Sequence, residues 1–337
     1  MAWGEGREFR KAESESLQKR PEMSIYNSRD QLLITRSSLT EVFTYHQVMP
    51  VFLDFIFVFG AQSDATDLRF SGFRQNTMMR DPPRRPSMPE LGWSGRCFQL
   101  CYNLKGVTLK LKNSSDSTLD EWSIRQAAVY HQFDVVCGTT LWIVVKGRED
   151  LHQRFKELTG KDGRPEDKTF ETVPDCLRSS LAAHLLYCQW STESWRWYIR
   201  WLEEVIEGES SMAIYGPRGP GFPHTEYKPY HIQELQSWLD KVNEAVMAME
   251  SNVDVISALR KFYANLLARK DFPALLKKEN EDDLIAFDGQ LDDIINDFKM
   301  QLSRARLLAG ITRDRKDLRS IRSYSTFKVK PQKEQNG

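Results

Sequence analysis

The stretch Leu235–Ile256, LQSWLDKVNEAVMAMESNVDVI, sets apolar side chains at Leu235, Leu239, Val242, Val246, Met249, Val253 and Ile256, in alternating steps of four and three. That spacing keeps one stripe of a helix apolar for about three heptads, the pattern of a helix that lies along another helix. A helix running from Tyr230 to Ala268 would reach roughly 60 Å at about 1.5 Å per residue, more than a compact domain spans. Asp271, Phe272 and Pro273 end it. A second periodic stretch follows, with Asn280 as its expected cap and Leu284, Phe287, Leu291, Ile294, Phe298, Leu302 and Ala305 along one stripe. Its first half is acidic, with no basic residue between Lys278 and Lys299, and its end is basic from Arg304 to Arg322, an arrangement that suits the helix dipole. The pattern predicts long, stalk-like antiparallel helices over 230–310 and a basic, flexible tail over 311–337.

Towards the N-terminus the chain changes character. Residues 208–229 hold Gly216, Gly219, Gly221, Pro217, Pro220, Pro223 and Pro229 and are expected to form a linker. Residues 175–206 return to helical spacing, and four of the nine tryptophans lie there. Thr139 to Lys146, with the core LWIVV, reads as a strand, and Phe98, Leu100, Tyr102 and Leu104 alternate as a half-buried strand does. Residues 122–133 are expected to bridge these two strands. Val48 to Ala61 reads as a buried core element, and Arg80 to Pro89, with four prolines, as a flexible insertion. Residues 1–37 carry both signs of charge and little apolar surface, as a disordered leader does. The expected architecture is an α/β (α+β) domain with a mixed sheet over 38–207, followed by the paired helices.

Composition narrows the function. With 47 basic and 47 acidic side chains the formal net charge is zero, so no global field recruits nucleic acid or an anionic membrane. Five cysteines without paired metal spacing fit reduced thiols in the cytoplasm, and Cys97 with Cys101 has no second pair at zinc spacing. No stretch has the roughly 20 apolar residues that a membrane helix needs. YGPRGPGFP, at 215–223, has prolines where a phosphate loop needs backbone amides, and neither G-x-S-x-G nor H-E-x-x-H occurs, so no enzymatic activity is expected. His131 and His184 sit singly in apolar segments and read as core histidines. Asp288 with Asp292, and Asp293 with Asp297, stand four apart on one helix; hard divalent cations take such oxygen ligands, so these four are the candidates for a weak Mg²⁺ site, against the plainer reading of a solvated acidic face.

Two segments carry a resemblance. Trp122 to His131, W-S-I-R-Q-x-A-V-Y-H with Arg125, Gln126 and Tyr130, and Trp195 to Ile199, W-R-W-Y-I with Trp197 and Tyr198, resemble hallmarks of fungal CorA-like transporter domain proteins. Met49 to Gly60, Cys101 to Lys105 and the helical C-terminal part are similar as well. The resemblance implies an α/β cytosolic domain leading into stalk helices, and full-length relatives that sit in a membrane as oligomers, pentamers in the ion-channel members. The chain departs from those channels in lacking their G-M-N tripeptide and a membrane span, so it is not expected to conduct ions itself. The expected role is self-association or regulation from the cytoplasmic side, with membrane association if the chain is part of a longer protein. The alternative is a soluble scaffold that holds a partner helix along the Leu235–Ile256 seam.

Overall fold

The computed structural model describes residues 2–3, 34–59, 69–109, 122–146, 150–215 and 229–328, apart from positions 82, 84–85, 162 and 165–167. Its strands are β1 (Ala2–Trp3), β2 (Phe73–Met78), β3 (Cys97–Leu109), β4 (Trp122–Asp134) and β5 (Thr140–Lys146). Its helices are α1 (Arg36–Tyr45), α2 (Phe52–Ile56), α3 (Asp150–Thr159), α4 (Val173–Thr192), α5 (Trp195–Tyr215), α6 (Pro229–Ala268), α7 (Ala274–Glu279) and α8 (Glu281–Lys328). The fold is α+β. The chain divides into two compact units, residues 1–193 with 251–297, and residues 194–250 with 298–337.

In the first unit the sheet runs β1-β5-β4-β3-β2, and every pairing is antiparallel, not mixed as the sequence suggested. The short turn explains this: β4 and β5 are joined by a few residues, which permits only an antiparallel return, whereas a parallel pair needs a long crossover. Asp134 builds that turn, its Oδ1 accepting from the amides of Val136 at 2.9 Å and Cys137 at 2.8 Å, and Gly138 follows in the left-handed region at φ 73°.

Residues 122–134 are the central strand and not a bridge between strands. The strand pairs along its full length with β3, from Cys97 opposite Asp134 to Leu109 opposite Trp122. It is covered on both faces, so its apolar residues do not alternate with polar ones and the period-two signal is lost. One face packs on α2, with Phe52, Phe55, Cys101, Ala128, Tyr130, Leu141 and Ile143 in one buried cluster. On the other face Gly106 meets α4, where a Cβ would lie 3.1 Å from Trp190 Cζ2. Helix α4 begins with a capping box in which Thr172 and Asp175 satisfy each other's amides.

β2, just before the proline-rich stretch, was not expected; its residues are largely polar and partly exposed, as an edge strand's are. β1 pairs Ala2 and Trp3 with Ile143 and Trp142, while 4–33, most of the expected leader, lie outside the described residues. Helix α5 continues to Tyr215, through the first residues of the expected linker, because the prolines and clustered glycines all lie beyond it. The rest of that linker, 216–228, lies outside the described residues.

In the second unit α6 and α8 run antiparallel: Arg306 of α8 pairs with Glu250 at 2.6 Å, and Lys316 reaches Gln236 at 2.9 Å. Trp201 of α5 packs edge-on against Trp238 of α6, with ring centroids 5.6 Å apart. The expected flexible tail is helical as far as Lys328. Thr312 and Arg319 are buried there, and Arg319 donates to the carbonyls of Glu209 and His231. Base-rich composition hid a stretch in which the Arg319 guanidinium holds backbone carbonyls and Arg315 donates to the Ser210 hydroxyl. Asn280 precedes α8 but does not cap it with its side chain; its amide donates instead to the Pro174 carbonyl at 3.0 Å.

Candidate functional site

The candidate residues lie at three places. The first is the middle of the sheet, where strand register and helix phase bring His131 of β4 and His184 of α4 together although 53 positions separate them. His184 Nε2 lies 3.0 Å from His131 Nδ1, Tyr102 Oη lies 2.7 Å from His184 Nδ1, and His131 Nε2 lies 3.1 Å from Thr140 Oγ1. Each contact has room for one hydrogen, so two neutral imidazoles form a one-way chain from Tyr102 to Thr140 or the reverse. Trp142 stacks on His131 at 4.0 Å, and Tyr263 of α6 and Phe287 of α8 close on His184 at 5.7 and 6.5 Å. Burial lowers the pKa of His184 to about 3, and burial together with the His184 charge holds His131 well below its ordinary value. Both read correctly as core histidines; that they form a pair had no sequence signal.

The first resemblance motif runs through this centre along β4, and its side chains are architectural. Tyr130 donates to Gln132 Oε1 at 2.8 Å, and Gln126 donates to the Val58 carbonyl at 3.2 Å. Arg125 stands opposite Gly106, and Trp122 pairs with Leu109 at the end of β4. In the second unit Trp195 is buried, Tyr198 stacks on Trp201 at 5.8 Å, and Trp197 is exposed beneath the guanidiniums of Arg196 and Arg200.

Cross-strand from Gln126 lies Lys105, 1 % exposed, whose Nζ has no hydrogen-bond partner among the described residues. Burial lowers its pKa from the ordinary 10.5 to about 8. Between those values the unfolded chain binds more protons than the folded one, so this group makes stability rise with pH across that window. Replacing Lys105 with methionine keeps the stem and removes the unpaired charge. At neutral pH it is expected to stabilise the chain by about 1–3 kcal/mol in urea unfolding, with the alkaline rise lost.

The acidic face of α8 is the third place. Arg260 of α6 clamps Asp288, Nε to Oδ1 at 2.6 Å and Nη2 to Oδ2 at 2.8 Å, and its Nη1 also donates to Asp292. The guanidinium holds the Asp288 carboxyl below its ordinary pKa. A cation at this pair must displace an internal one, which makes Asp288 and Asp292 poor ligands. Asp293 and Asp297 are exposed, and among the described residues no group of three or more His, Cys, Asp or Glu side chains converges.

The Leu235–Ile256 seam is covered by the same chain: Leu235, Leu239, Val242, Met249 and Ile256 are buried, and Val246 and Val253 are half-buried. A partner helix would have to displace what already covers it. Among the described residues no helix is long and apolar enough to cross a membrane.

No curated protein matches the chain. A family model described as CorA-like transporters matches residues 23–214, a span that takes in β2 to β5, both resemblance motifs and nearly all of α5. Since that match extends over more than half of the 337 residues, the chain belongs to the CorA-like transporters.

Proposed function

We propose that this chain supplies a non-enzymatic, cytoplasmic part of a CorA-like transport system, acting in assembly or regulation and not conducting ions itself. One observation carries the reading: the family match covers the sheet domain and α5, while no helix among the described residues is long and apolar enough to cross a membrane. The long helices α6 and α8 follow that domain where the resemblance expects a stalk.

Mg²⁺ enters this reading as a weak ligand of the acidic face. Asp293 and Asp297, one turn apart and exposed, are its first contacts, and Asp288 and Asp292 become available only if Arg260 withdraws. Light scattering of the whole chain with and without Mg²⁺ tests both parts. A mass above that of one copy, shifted by Mg²⁺, is expected; a single copy indifferent to Mg²⁺ would overturn the reading.

A further inference from the structure

The proline-rich stretch that follows β2 is tied down at both ends and exposed between them. Met79 anchors its start; it is buried, and its carbonyl accepts from Arg96 Nε at 3.2 Å. At its end Met88 bridges to Trp93 in both directions, the Met88 amide donating to the Trp93 carbonyl at 2.8 Å and the Trp93 amide to the Met88 carbonyl at 3.0 Å. Between these ties Arg80, Asp81, Pro86 and Ser87 are exposed, and Pro86 and Ser87 belong to neither helix nor strand.

Proline at 83, 86 and 89 removes an amide donor every third residue, so no regular helix or central strand can run through Ser87. Met88, which precedes Pro89, accordingly lies outside the helical region at φ −124° and ψ 82°. A hydroxyl on such a segment can be laid along another protein's groove without melting an element. The charge here is local. Arg84 and Arg85 stand three and two positions before Ser87, in a chain whose formal net charge is zero, and no other serine or threonine of the sequence has arginine at both places. Two guanidiniums before the hydroxyl and an apolar side chain after it match a groove that is acidic up to the point of transfer and apolar just beyond it.

We propose that Ser87 is a phosphorylation site, the acceptor for a serine kinase that reads arginine in an acidic substrate groove. Ser87 Oγ attacks the γ-phosphorus of ATP, the bond from that phosphorus to the β–γ bridging oxygen breaks, ADP leaves with the bonding pair, and the hydroxyl proton passes to the kinase's catalytic base. The product adds about −1.5 to −2 charges near pH 7 to a chain whose formal net charge is zero. The inference is independent of the assembly reading above, and neither falls with the other.

The experiment incubates the whole chain with ATP, Mg²⁺ and the catalytic subunit of the cyclic-AMP-dependent protein kinase as the arginine-directed probe. A single gain of about 80 Da is expected, placed on Ser87 by fragment masses. Ser87→Ala, at an exposed position, should abolish the gain with the circular dichroism unchanged. Arg84→Ala with Arg85→Ala keeps the acceptor and should lower kcat/KM for the kinase roughly tenfold or more. A synthetic peptide of residues 80–91 separates the motif from its presentation, and uptake by both the peptide and the folded chain is expected. Modification of the peptide but not of the folded chain would overturn the proposal, because the tie at Met88 would then hold Ser87 out of the groove. Modification of neither would overturn it too, and so would a gain in mass that survives Ser87→Ala.

Discussion

Asn252→Leu is expected to cost roughly 2–5 kcal/mol in urea unfolding, one of the two largest effects anticipated for this chain. β2 ends at Phe73 opposite Tyr102, so the edge of β3 beyond that point has no strand beside it among the described residues. Asn252, on α6 and 1 % exposed, takes the place of a strand at Lys105. Its Oδ1 accepts from the Lys105 amide at 2.9 Å, and its Nδ2 donates to the Lys105 carbonyl at 2.6 Å. One side-chain amide thus answers the two backbone groups that a neighbouring strand would have answered. Leucine has a similar branched outline, is larger and carries neither hydrogen-bonding group, so the Lys105 N–H and C=O would both be left buried and unpaired and the site would be crowded besides. Each such group costs about 1–3 kcal/mol.

Asn252→Asp tests whether the donor matters as much as the acceptor. It keeps the bond from the amide, loses the one to the carbonyl and buries a carboxylate, and should be at least as damaging at neutral pH. A loss of under about 1 kcal/mol for the leucine variant would show that the amide contributes packing and not pairing.

The same residue shows where sequence reasoning reached and where it stopped. The alternation of fours and threes found α6 correctly and found one apolar stripe, but the helix buries more than that stripe. Trp238, Ala245, Ala248, Asn252 and Val255 are also buried, while Val246 and Val253 are only partly so. Periodicity reports that a helix has an apolar side; it does not report how many surfaces press on it. A buried asparagine among apolar neighbours was a signal that some polar group awaited it, since such a side chain is rarely left without a partner. The sequence could not say that the group was a strand edge 147 positions away.

β4 was missed for a related reason. A strand covered on both faces reads as a continuous run, so residues 122–134 were legible as a motif and illegible as the middle of the sheet. The acidic face was read as a weak Mg²⁺ site or a solvated face; its pairing with Arg260 depended on the antiparallel return of α8, which was expected, and on a register, which was not.

Acidification is expected to loosen the first unit, because its centre holds two imidazoles and, among the described residues, no carboxylate is placed to receive their charge. The titratable groups facing them are Tyr102 from β3, Tyr187 and Cys188 from α4, and Tyr263 from α6, all neutral in the range concerned, and burial raises the pKa of each. Protonating either histidine also gives the chain of contacts one hydrogen too many, so one donor must turn away from its acceptor inside a buried site. The sign follows from proton counts. Unfolded, His184 binds a proton near its ordinary 6.5; folded, it does so only near about 3. The unfolded state therefore binds more protons between those values, and the stability contributed by the neutral imidazole is whole above 6.5 and drains away as pH falls towards about 3. At about pH 5 the loss is about 2 kcal/mol from His184, and His131, displaced in the same direction, adds to it. Chemical denaturation at successive pH values between about 7 and 5 isolates this effect, because surface carboxylates mostly titrate lower. The paired variant His131→Phe with His184→Leu should be less stable at neutral pH, since Tyr102 and Thr140 lose their partners, yet lose most of the slope across that interval, with a remainder from His46, whose pKa burial also lowers. If the double variant kept the acid slope of the parent chain, the slope would belong to other groups, and the paired imidazoles would be inert filling between the sheet and its helices.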